Sequence, residues 1–492
     1  MPQIQVGMGR IRYFSMVLGE LGEMLIFISP LTLLPLPIAA IFREWDMLLP
    51  LASVPALFFL SGFFLNYLPR KKQDVRFSAA LCSVALVWLA FAVISCIPFM
   101  FVLDLSFTDA MFESMAGWTG TGFSLLKNLD TIPESLLFWR TYMQWVGGLA
   151  VISLALTTAF RSDLDTSPLF KAERKAERIL PSVIANGKEI WAVYILLTVI
   201  SAGLIMMSRV PLWDALNLAI SAISTGGFIP KTGGLLSYNN PLLELFLIPV
   251  MIFGSTPFTL YYMTYRRKAV SFFSDEQVRL LFIFLIFGTL IVVADLIFLA
   301  DFATKEAVRQ GVFMTTAAIS TTGFQNGNPH LYPSVTVVFL TMLVFIGGAS
   351  GSTAGGIRLS RIALGYRGII WWFRRTFVSS RVLVPFKYQK KTIPVEVAEP
   401  ELSKSMLVII LSVITVFLAT VIVLQEHITS LGLTDLIFDI VSALSSCGIS
   451  SGYVNPTMPL LSKWVFIVVM WVGRLEVIPV FVLLAGLIRG SD

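Results

Sequence analysis

The sequence predicts an all-α polytopic membrane protein: four span–pore-loop–span repeats with pseudo-fourfold symmetry around one pore, preceded by two extra N-terminal spans. Three observations predict it. The 492 residues are 56% hydrophobic and 13% charged, with mean hydropathy +0.81, whereas soluble domains are about a quarter charged. The apolar residues gather into stretches long enough to cross a bilayer, about 20 residues each. A short glycine-ended motif also recurs four times at fixed offsets.

Ten stretches qualify as spans: 15–42, 47–68, 76–102, 136–160, 189–208, 241–264, 280–301, 334–357, 405–425 and 461–488. The first carries Glu20 and Glu23 and lacks a small-residue cleavage site, so it reads as a span and not as a cleaved signal. Four half-apolar stretches lie between the third and fourth, fifth and sixth, seventh and eighth, and ninth and tenth spans. They run over 107–121, 212–226, 307–322 and 434–447 and end in glycine. They are too short to cross but suit re-entrant helices; ordinary surface loops would not need their apolar character.

Charge placement orients these elements. Of 36 Lys and Arg, 27 fall on one side: Arg10 and Arg12, then residues within 70–76, 161–188, 266–279 and 358–404, and Arg489. Eight fall on the other: Arg43, Lys127, Arg140, Arg209, Lys231, Lys305, Arg309 and Lys463. This bias follows the positive-inside rule, so both termini are expected in the cytoplasm and all four glycine loops enter from outside. The expected units are two N-terminal spans (1–75), repeat 1 (76–160), repeat 2 (161–265), repeat 3 (266–375), a cytoplasmic connection (376–404) and repeat 4 (405–492).

Aligned on their last glycine, the loops read Thr119-Gly120-Thr121-Gly122, Ser224-Thr225-Gly226-Gly227, Ser320-Thr321-Thr322-Gly323 and Ser445-Ser446-Cys447-Gly448. A hydroxyl stands three residues before each glycine. Small residues stand five and six before it: Gly117/Ala116, Ala222/Ser221, Ala318/Ala317 and Ala443/Ser442. Asp109, Asp214, Gln310 and Asp435 stand thirteen before it. About 25 residues after it, the following spans carry Trp-Val-Gly-Gly (145–148), Ile-Phe-Gly-Ser (252–255), Phe-Ile-Gly-Gly (345–348) and Trp-Val-Gly-Arg (471–474). All four copies have one orientation, unlike inverted-repeat transporters, and same-sense copies around an axis make a pore.

Such loops suit a bare cation, whose hydration shell rings of backbone carbonyls can replace. Aiming successive carbonyls at one axis needs conformations that glycine reaches freely. The hydroxyls can add ligands or bind the loop's own backbone. Helices of this length end near mid-membrane, and their negative C-terminal dipoles favour a cation. The three aspartates cap helix starts and would secondarily make the mouth electronegative.

Two departures from symmetry stand out. Arg474 replaces Gly148, Ser255 and Gly348 about 20 Å into its span by helix rise. A charge there faces a water-filled path or a partner: it is either a structural pair or a cationic barrier below the filter. The run 347–356 holds Gly347, Gly348, Gly351, Gly355 and Gly356 around Ser352. Its four-residue spacing fits close helix packing, while its glycine content favours an unwound segment that lines a cavity and could gate it.

Composition excludes other classes. Two histidines, His330 and His427, cannot serve a bis-His haem and a proton relay. Cys82, Cys96 and Cys447 make neither a disulfide framework nor a zinc site. There is no His-rich motif, paired intramembrane Asp or Cys–His pair, so the chain is expected not to be an enzyme and to hold no cofactor. Its surroundings are the lipid bilayer, with no nucleic-acid partner.

The fourfold unit, Ser-Thr-Thr-Gly-Phe (320–324), the run Gly-Gly-Ala-Ser-Gly-Ser-Thr-Ala-Gly-Gly-Ile-Arg (347–358) and Gly-Arg-Leu-Glu (473–476) resemble the TrkH/TrkG/KtrB potassium-uptake family. The resemblance covers residue 76 to the end, and the two leading spans are similar to the TrkH branch. It implies filter glycines at Gly122, Gly227, Gly323 and Gly448, an intramembrane gate loop at 347–356 and a central arginine at Arg474. Relatives that pass sodium often carry serine at the first glycine, so Gly122 implies potassium preference. Cys447 and Ile449 depart from the pattern of the other loops. The family also implies passive, channel-like potassium uptake across the cytoplasmic (inner) membrane, a homodimer and a cytosolic TrkA-type nucleotide-binding ring. This chain has no Walker A or Rossmann fingerprint, so nucleotide control would come through that partner, with the basic 358–404 segment as a docking surface or an anionic-lipid contact. The alternative is sodium- or proton-coupled symport; Glu476 is the one carboxylate along the pore-lining spans that a proton relay could use.

Overall fold

In a bilayer, apolar runs satisfy their backbone N–H and C=O groups by coiling into helices, and the computed structural model is helical accordingly. It describes residues 10–67, 77–161, 183–265, 270–378, 384–388, 391–426 and 431–489. Much of the expected inner-side charge, at 70–76, 162–182 and 266–269, lies outside the described residues.

The N-terminal pair of spans consists of α1 (Arg10–Ile28) with α2 (Pro35–Ile41), and α3 (Leu48–Asn66). The segment expected as repeat 1 contains α4 (Phe77–Ser95), α5 (Ile97–Leu103), the short α6 (Phe107–Thr119) at the expected re-entrant stretch and α7 (Glu134–Arg161); the other segments are labelled in the same way. Repeat 2 contains α8 (Val183–Met206), the re-entrant α9 (Leu212–Ile223), α10 (Pro241–Ser255) and α11 (Phe258–Tyr265). Repeat 3 contains α12 (Val270–Ser274), α13 (Glu276–Phe298), the re-entrant α14 (Thr304–Ser320), α15 (Ser334–Ile346) and α16 (Leu359–Thr376). A hairpin of β1 (Phe386–Tyr388) and β2 (Lys391–Ile393), paired Phe386 to Ile393, leads into repeat 4. That repeat contains α17 (Val395–Leu424), the re-entrant α18 (Leu433–Leu444), α19 (Leu460–Arg474) and α20 (Ile478–Arg489).

Three second spans depart from straight rods. The expected span 241–264 bends by 97° between α10 and α11, and 461–488 bends by 107° between α19 and α20. At the first bend Thr256 is extended and Pro257 offers no N–H to continue the ladder. At the second, Glu476 and Val477 take φ of +56° and +68°. The expected span 334–357 is helical only to Ile346, after which Gly347 turns left-handed at φ +71°. The remaining second span, α7, runs unbroken and keeps Arg140 buried.

Burial away from lipid gains little hydrophobic free energy, so close packing and polar pairing decide how such helices assemble. One apolar cluster joins the N-terminal spans to repeats 1 and 4, with Trp88, Phe91, Trp118 and Phe466 inside it. The other joins repeats 2 and 3 around Leu243, Phe313 and Leu340. Between the clusters the four re-entrant helices converge on their C-terminal loops.

Candidate functional site

The four re-entrant helices stop in the same way. The residue two before each of the aligned glycines Gly122, Gly227, Gly323 and Gly448 takes the left-handed conformation: Gly120 (φ +66°), Thr225 (+51°), Thr321 (+51°) and Ser446 (+49°). Its N–H bonds the carbonyl three residues back, and the next N–H bonds the carbonyl five residues back. In repeat 1 these are Gly120 N to Gly117 O at 3.0 Å and Thr121 N to Ala116 O at 2.9 Å; in repeat 3 they are Thr321 N to Ala318 O and Thr322 N to Ala317 O, both at 3.1 Å. This is the Schellman cap. The small residues at minus five and six supply its carbonyls, a role the sequence did not reveal. Three non-glycine residues in the left-handed region cost about 1–3 kcal/mol each, which the surrounding contacts must offset.

The four aligned glycines are left-handed as well: Gly122 (+81°), Gly227 (+80°), Gly323 (+86°) and Gly448 (+88°). Each glycine also abuts the next copy. A β-carbon on Gly122 would fall closer than 3.0 Å to the Gly226 oxygen, one on Gly227 to Thr322 O, one on Gly323 to Cys447 O, and one on Gly448 to Thr121 O. The contacts run from copy one to two, three, four and back to one. They close a ring of four backbone segments in chain order, with no room for a side chain at any of the four glycines.

The hydroxyls at minus three turn to the protein. Thr119 Oγ1 donates to Met115 O at 2.7 Å and bonds Thr121 Oγ1 at 2.8 Å. Ser224 Oγ donates to Ile220 O at 2.8 Å, and Ser320 Oγ reaches Ala317 O at 3.3 Å and bonds Thr322 Oγ1 at 2.7 Å. Of the two roles open to them, bracing the backbone is the one observed in these three copies. The Cys447 thiol likewise turns aside, with Sγ 3.9 Å from Ala317 O, so the departure at this position leaves the backbone ring complete. Ile449 is fully buried.

The second spans support the ring from behind. Gly147, Gly254 and Gly473 each lie against a carbonyl near the end of their own re-entrant helix, those of Trp118, Ile223 and Leu444. The third copy breaks the pattern. There Gly347 lies against Gly355, and 347–358 forms an unwound loop with left-handed Gly347, Gly351, Gly356 and Arg358. The loop reaches every repeat. Thr353 Oγ1 donates to Ile223 O at 2.8 Å and Gly254 O at 2.9 Å. Gly355 N donates to Thr321 Oγ1 at 2.8 Å. A β-carbon on Gly355 would meet Ser445 O, and one on Gly148 would meet the Thr353 methyl. Ser352 Oγ ties the loop internally to Ala349 O at 2.6 Å, and a β-carbon on Gly348 would strike Ala354.

Arg474 is 6% exposed and fastens this loop. Its Nη1 donates to Thr353 O at 3.2 Å and its Nη2 to Gly147 O at 3.3 Å. Its partners are therefore carbonyls; the nearby Glu476 instead pairs with Arg358 at 2.7 Å and with Arg361. The same guanidinium lies 3.9 Å from where a β-carbon on Gly120 would sit, at the start of the first glycine loop.

Several braces escaped sequence reading. Glu113 and Asp439, each nine residues before its glycine, hold the chain as it leaves the ring. Glu113 accepts from Ser124 Oγ at 2.9 Å and Leu125 N at 2.5 Å. Asp439 accepts from Ser450 Oγ and Ser451 N, both at 2.7 Å. Arg140 pairs with Glu113 at 3.2 Å, with both side chains buried. In repeat 3 this duty falls to Asn326, bound by Glu244, which also pairs with Arg309 at 2.6 Å. The shared offset of Glu113 and Asp439 was the available signal. The aspartates at the mouth are partnered: Asp109 by Lys463 at 2.6 Å, Asp214 by Lys231 at 3.3 Å and Asp435 by His330 at 2.9 Å. Gln310 accepts from Tyr332 at 2.7 Å. Of the three aspartates expected to cap, Asp435 accepts from Gly432 N, whereas at α6 the cap is Ser106, which holds the Asp109 N–H, and the Asp214 helix has no side-chain cap; Lys463 and Lys231 offset part of the negative mouth expected from the aspartates alone.

The sequence model of TrkH, described as a cation transport protein, matches residues 56–489. The chain belongs to the TrkH family. An uncharacterised cation transporter of Methanocaldococcus jannaschii is 30% identical over 96% of this chain and 95% of its own length. The Trk system potassium uptake protein TrkH of Halomonas elongata is 27% identical over 95% of this chain and 98% of its own. The crystal structure of the potassium transporter TrkH from Vibrio parahaemolyticus superposes with a TM-score of 0.82 at 21% identity, covering 96% and 98% of the two chains. This TrkH-family chain is thus a multi-pass membrane protein with the TrkH fold.

Proposed function

We propose that this chain carries potassium into the cell by passive, channel-like permeation through the ring formed at Gly122, Gly227, Gly323 and Gly448. The closed ring of backbone contacts between the four copies carries this reading, because rings of backbone oxygens replace the hydration shell of a cation. The sixteen residues 119–122, 224–227, 320–323 and 445–448 form the filter, and the named potassium uptake relatives support potassium as the ion. The loop 347–356 with Arg474 is the gate, since it touches all four copies on the side of the helix ends. The chain works as a homodimer in the inner membrane, with both termini cytoplasmic, under a cytosolic TrkA-type nucleotide-binding ring. Proton-coupled symport is less well served: Glu476, the carboxylate such a relay would use, is held by two guanidinium groups.

Radioactive rubidium uptake into proteoliposomes, competed by potassium or sodium, tests this. Blocking by potassium with little effect of sodium is expected. Uptake that requires a sodium or proton gradient would replace the reading with coupled symport. Absence of uptake, even with the cytosolic ring added, would end it.

A further inference from the structure

The ring has one brace that its own symmetry does not supply. In copies one and three, the residue before the filter glycine is threonine, and its hydroxyl bonds the hydroxyl two residues earlier: Thr121 to Thr119 at 2.8 Å and Thr322 to Ser320 at 2.7 Å. Copy two has Gly226 there and lacks that side chain. The space is filled from another repeat. Gln144, on α7 of repeat 1 and fully buried, donates from Nε2 to Gly226 O at 2.7 Å. Its Oε1 accepts from Ser221 Oγ at 3.0 Å and Phe228 N at 3.4 Å. Reversing the amide would set its NH2 against the Phe228 N–H and its oxygen against the Gly226 oxygen, so the three contacts fix its orientation. A β-carbon on Gly226 would strike Gln144.

Gln144 has no counterpart in the other copies. It precedes the motif at 145–148, and the equivalent residues before the other three motifs are Met251, Val344 and Met470, all fully buried and apolar. A buried amide in this position is therefore specific to the interface between copies one and two. The oxygen it holds is the one facing Gly122 across the ring.

We propose that Gln144 is a positioning residue for ion selectivity: it replaces, from a neighbouring repeat, the threonine brace that copy two lacks, and fixes the Gly226 oxygen. This rests on the reading that the ring selects potassium. The number and placement of coordinating oxygens set such selectivity, so a released oxygen relaxes the choice between potassium and sodium.

The test compares wild type, Gln144→Met, Gly226→Thr and a double variant that joins Gly226→Thr to Gln144→Ala in proteoliposomes, reading rubidium uptake competed by potassium and by sodium. Met is the residue that copies two and four carry at the equivalent position. Gln144→Met should keep uptake and lower the potassium-to-sodium preference about three- to tenfold, the effect of one hydrogen bond's net contribution. Gly226→Thr alone should impair uptake, because its side chain meets Gln144. The backbone at Gly226 is not left-handed, and the atoms its β-carbon would meet first all belong to Gln144, so threonine fits once alanine stands at 144, whereas methionine would keep a sulfur in that space. The double variant should therefore recover selectivity through a hydroxyl brace to Ser224. Gln144→Glu, isosteric and lacking the donor when ionised, provides a second reading should Gln144→Met fail to assemble; it should also lose preference. Wild-type preference retained in Gln144→Met, or in Gln144→Glu if that variant is needed, would overturn the proposal, as would a double variant no better than Gln144→Met. Equal competition in the wild type itself would instead overturn the parent reading.

Discussion

Nη1 of Arg474 donates to the carbonyl oxygen of Thr353 at 3.2 Å, while Nη2 of the same guanidinium reaches Gly147 O at 3.3 Å. One side chain thus joins the unwound loop of repeat 3 to the second span of repeat 1. Hydrogen bonds from a charged donor contribute about 1.5–3 kcal/mol, enough to hold a loop in one place. Arg474→Ala should therefore raise rubidium uptake by the purified protein roughly tenfold, the factor set by about 1.4 kcal/mol of lost restraint. Arg474→Lys, a point charge without the fork that meets two carbonyls, should fall between. Wild-type uptake in both would remove the restraint.

The loop's glycines are not equivalent. A β-carbon on Gly355 would run into Ser445 O, whereas one on Gly351 has Pro257 Cβ 3.8 Å away and no closer neighbour. Gly355→Ala should displace the loop and raise uptake. Gly351→Ala meets only backbone strain at φ +79°, about 1–3 kcal/mol, and should stiffen the loop and alter open probability. Patch recordings of the two variants would distinguish them; identical gating in both would show that the loop does not gate.

At the ring itself the steric margin is smallest. Gly448→Ala places its β-carbon on Thr121 O and forces a side chain at φ +88°. Uptake should fall by at least about tenfold, as a loss of 1.4 kcal/mol or more predicts, while the protein still elutes as a single species. Retained potassium-selective uptake would exclude Gly448 from the filter.

The buried pair of Arg140 and Glu113 makes a stability prediction. Removing one partner of a buried pair costs about 3–5 kcal/mol because the other charge is left uncompensated. Glu113→Gln should lower the thermal unfolding midpoint in detergent markedly, and Glu113→Leu combined with Arg140→Met should recover much of it. Equal destabilisation by the single and double variants would show that the loop contacts of Glu113, and not the charge pair, dominate.

Much of the site was legible because its signals are local. The four glycine tetrads, the hydroxyls and the small residues recur at fixed offsets, and the re-entrant helices form within a few residues of the expected 107–121, 212–226, 307–322 and 434–447. The glycine-rich run 347–356 read either as close helix packing or as an unwound segment, and it is unwound. Gln144 was silent because one glutamine in an apolar span has no repeat to flag it. The bends at Pro257 and Glu476 were hidden inside continuous apolar runs, where hydropathy records length and not direction.

By itself the sequence determined that this chain lies in a membrane, that it is helical and that one glycine-ended motif recurs four times, because each depends on composition or on neighbours within a few turns. Only the tertiary structure decided that the ring closes in chain order, that Arg474 grips carbonyls while Glu476 goes to Arg358 and Arg361, and that Gln144 serves a glycine 82 residues away. Those partners meet across helices, where the fit of one backbone against another selects among contacts that the residue types alone allow equally.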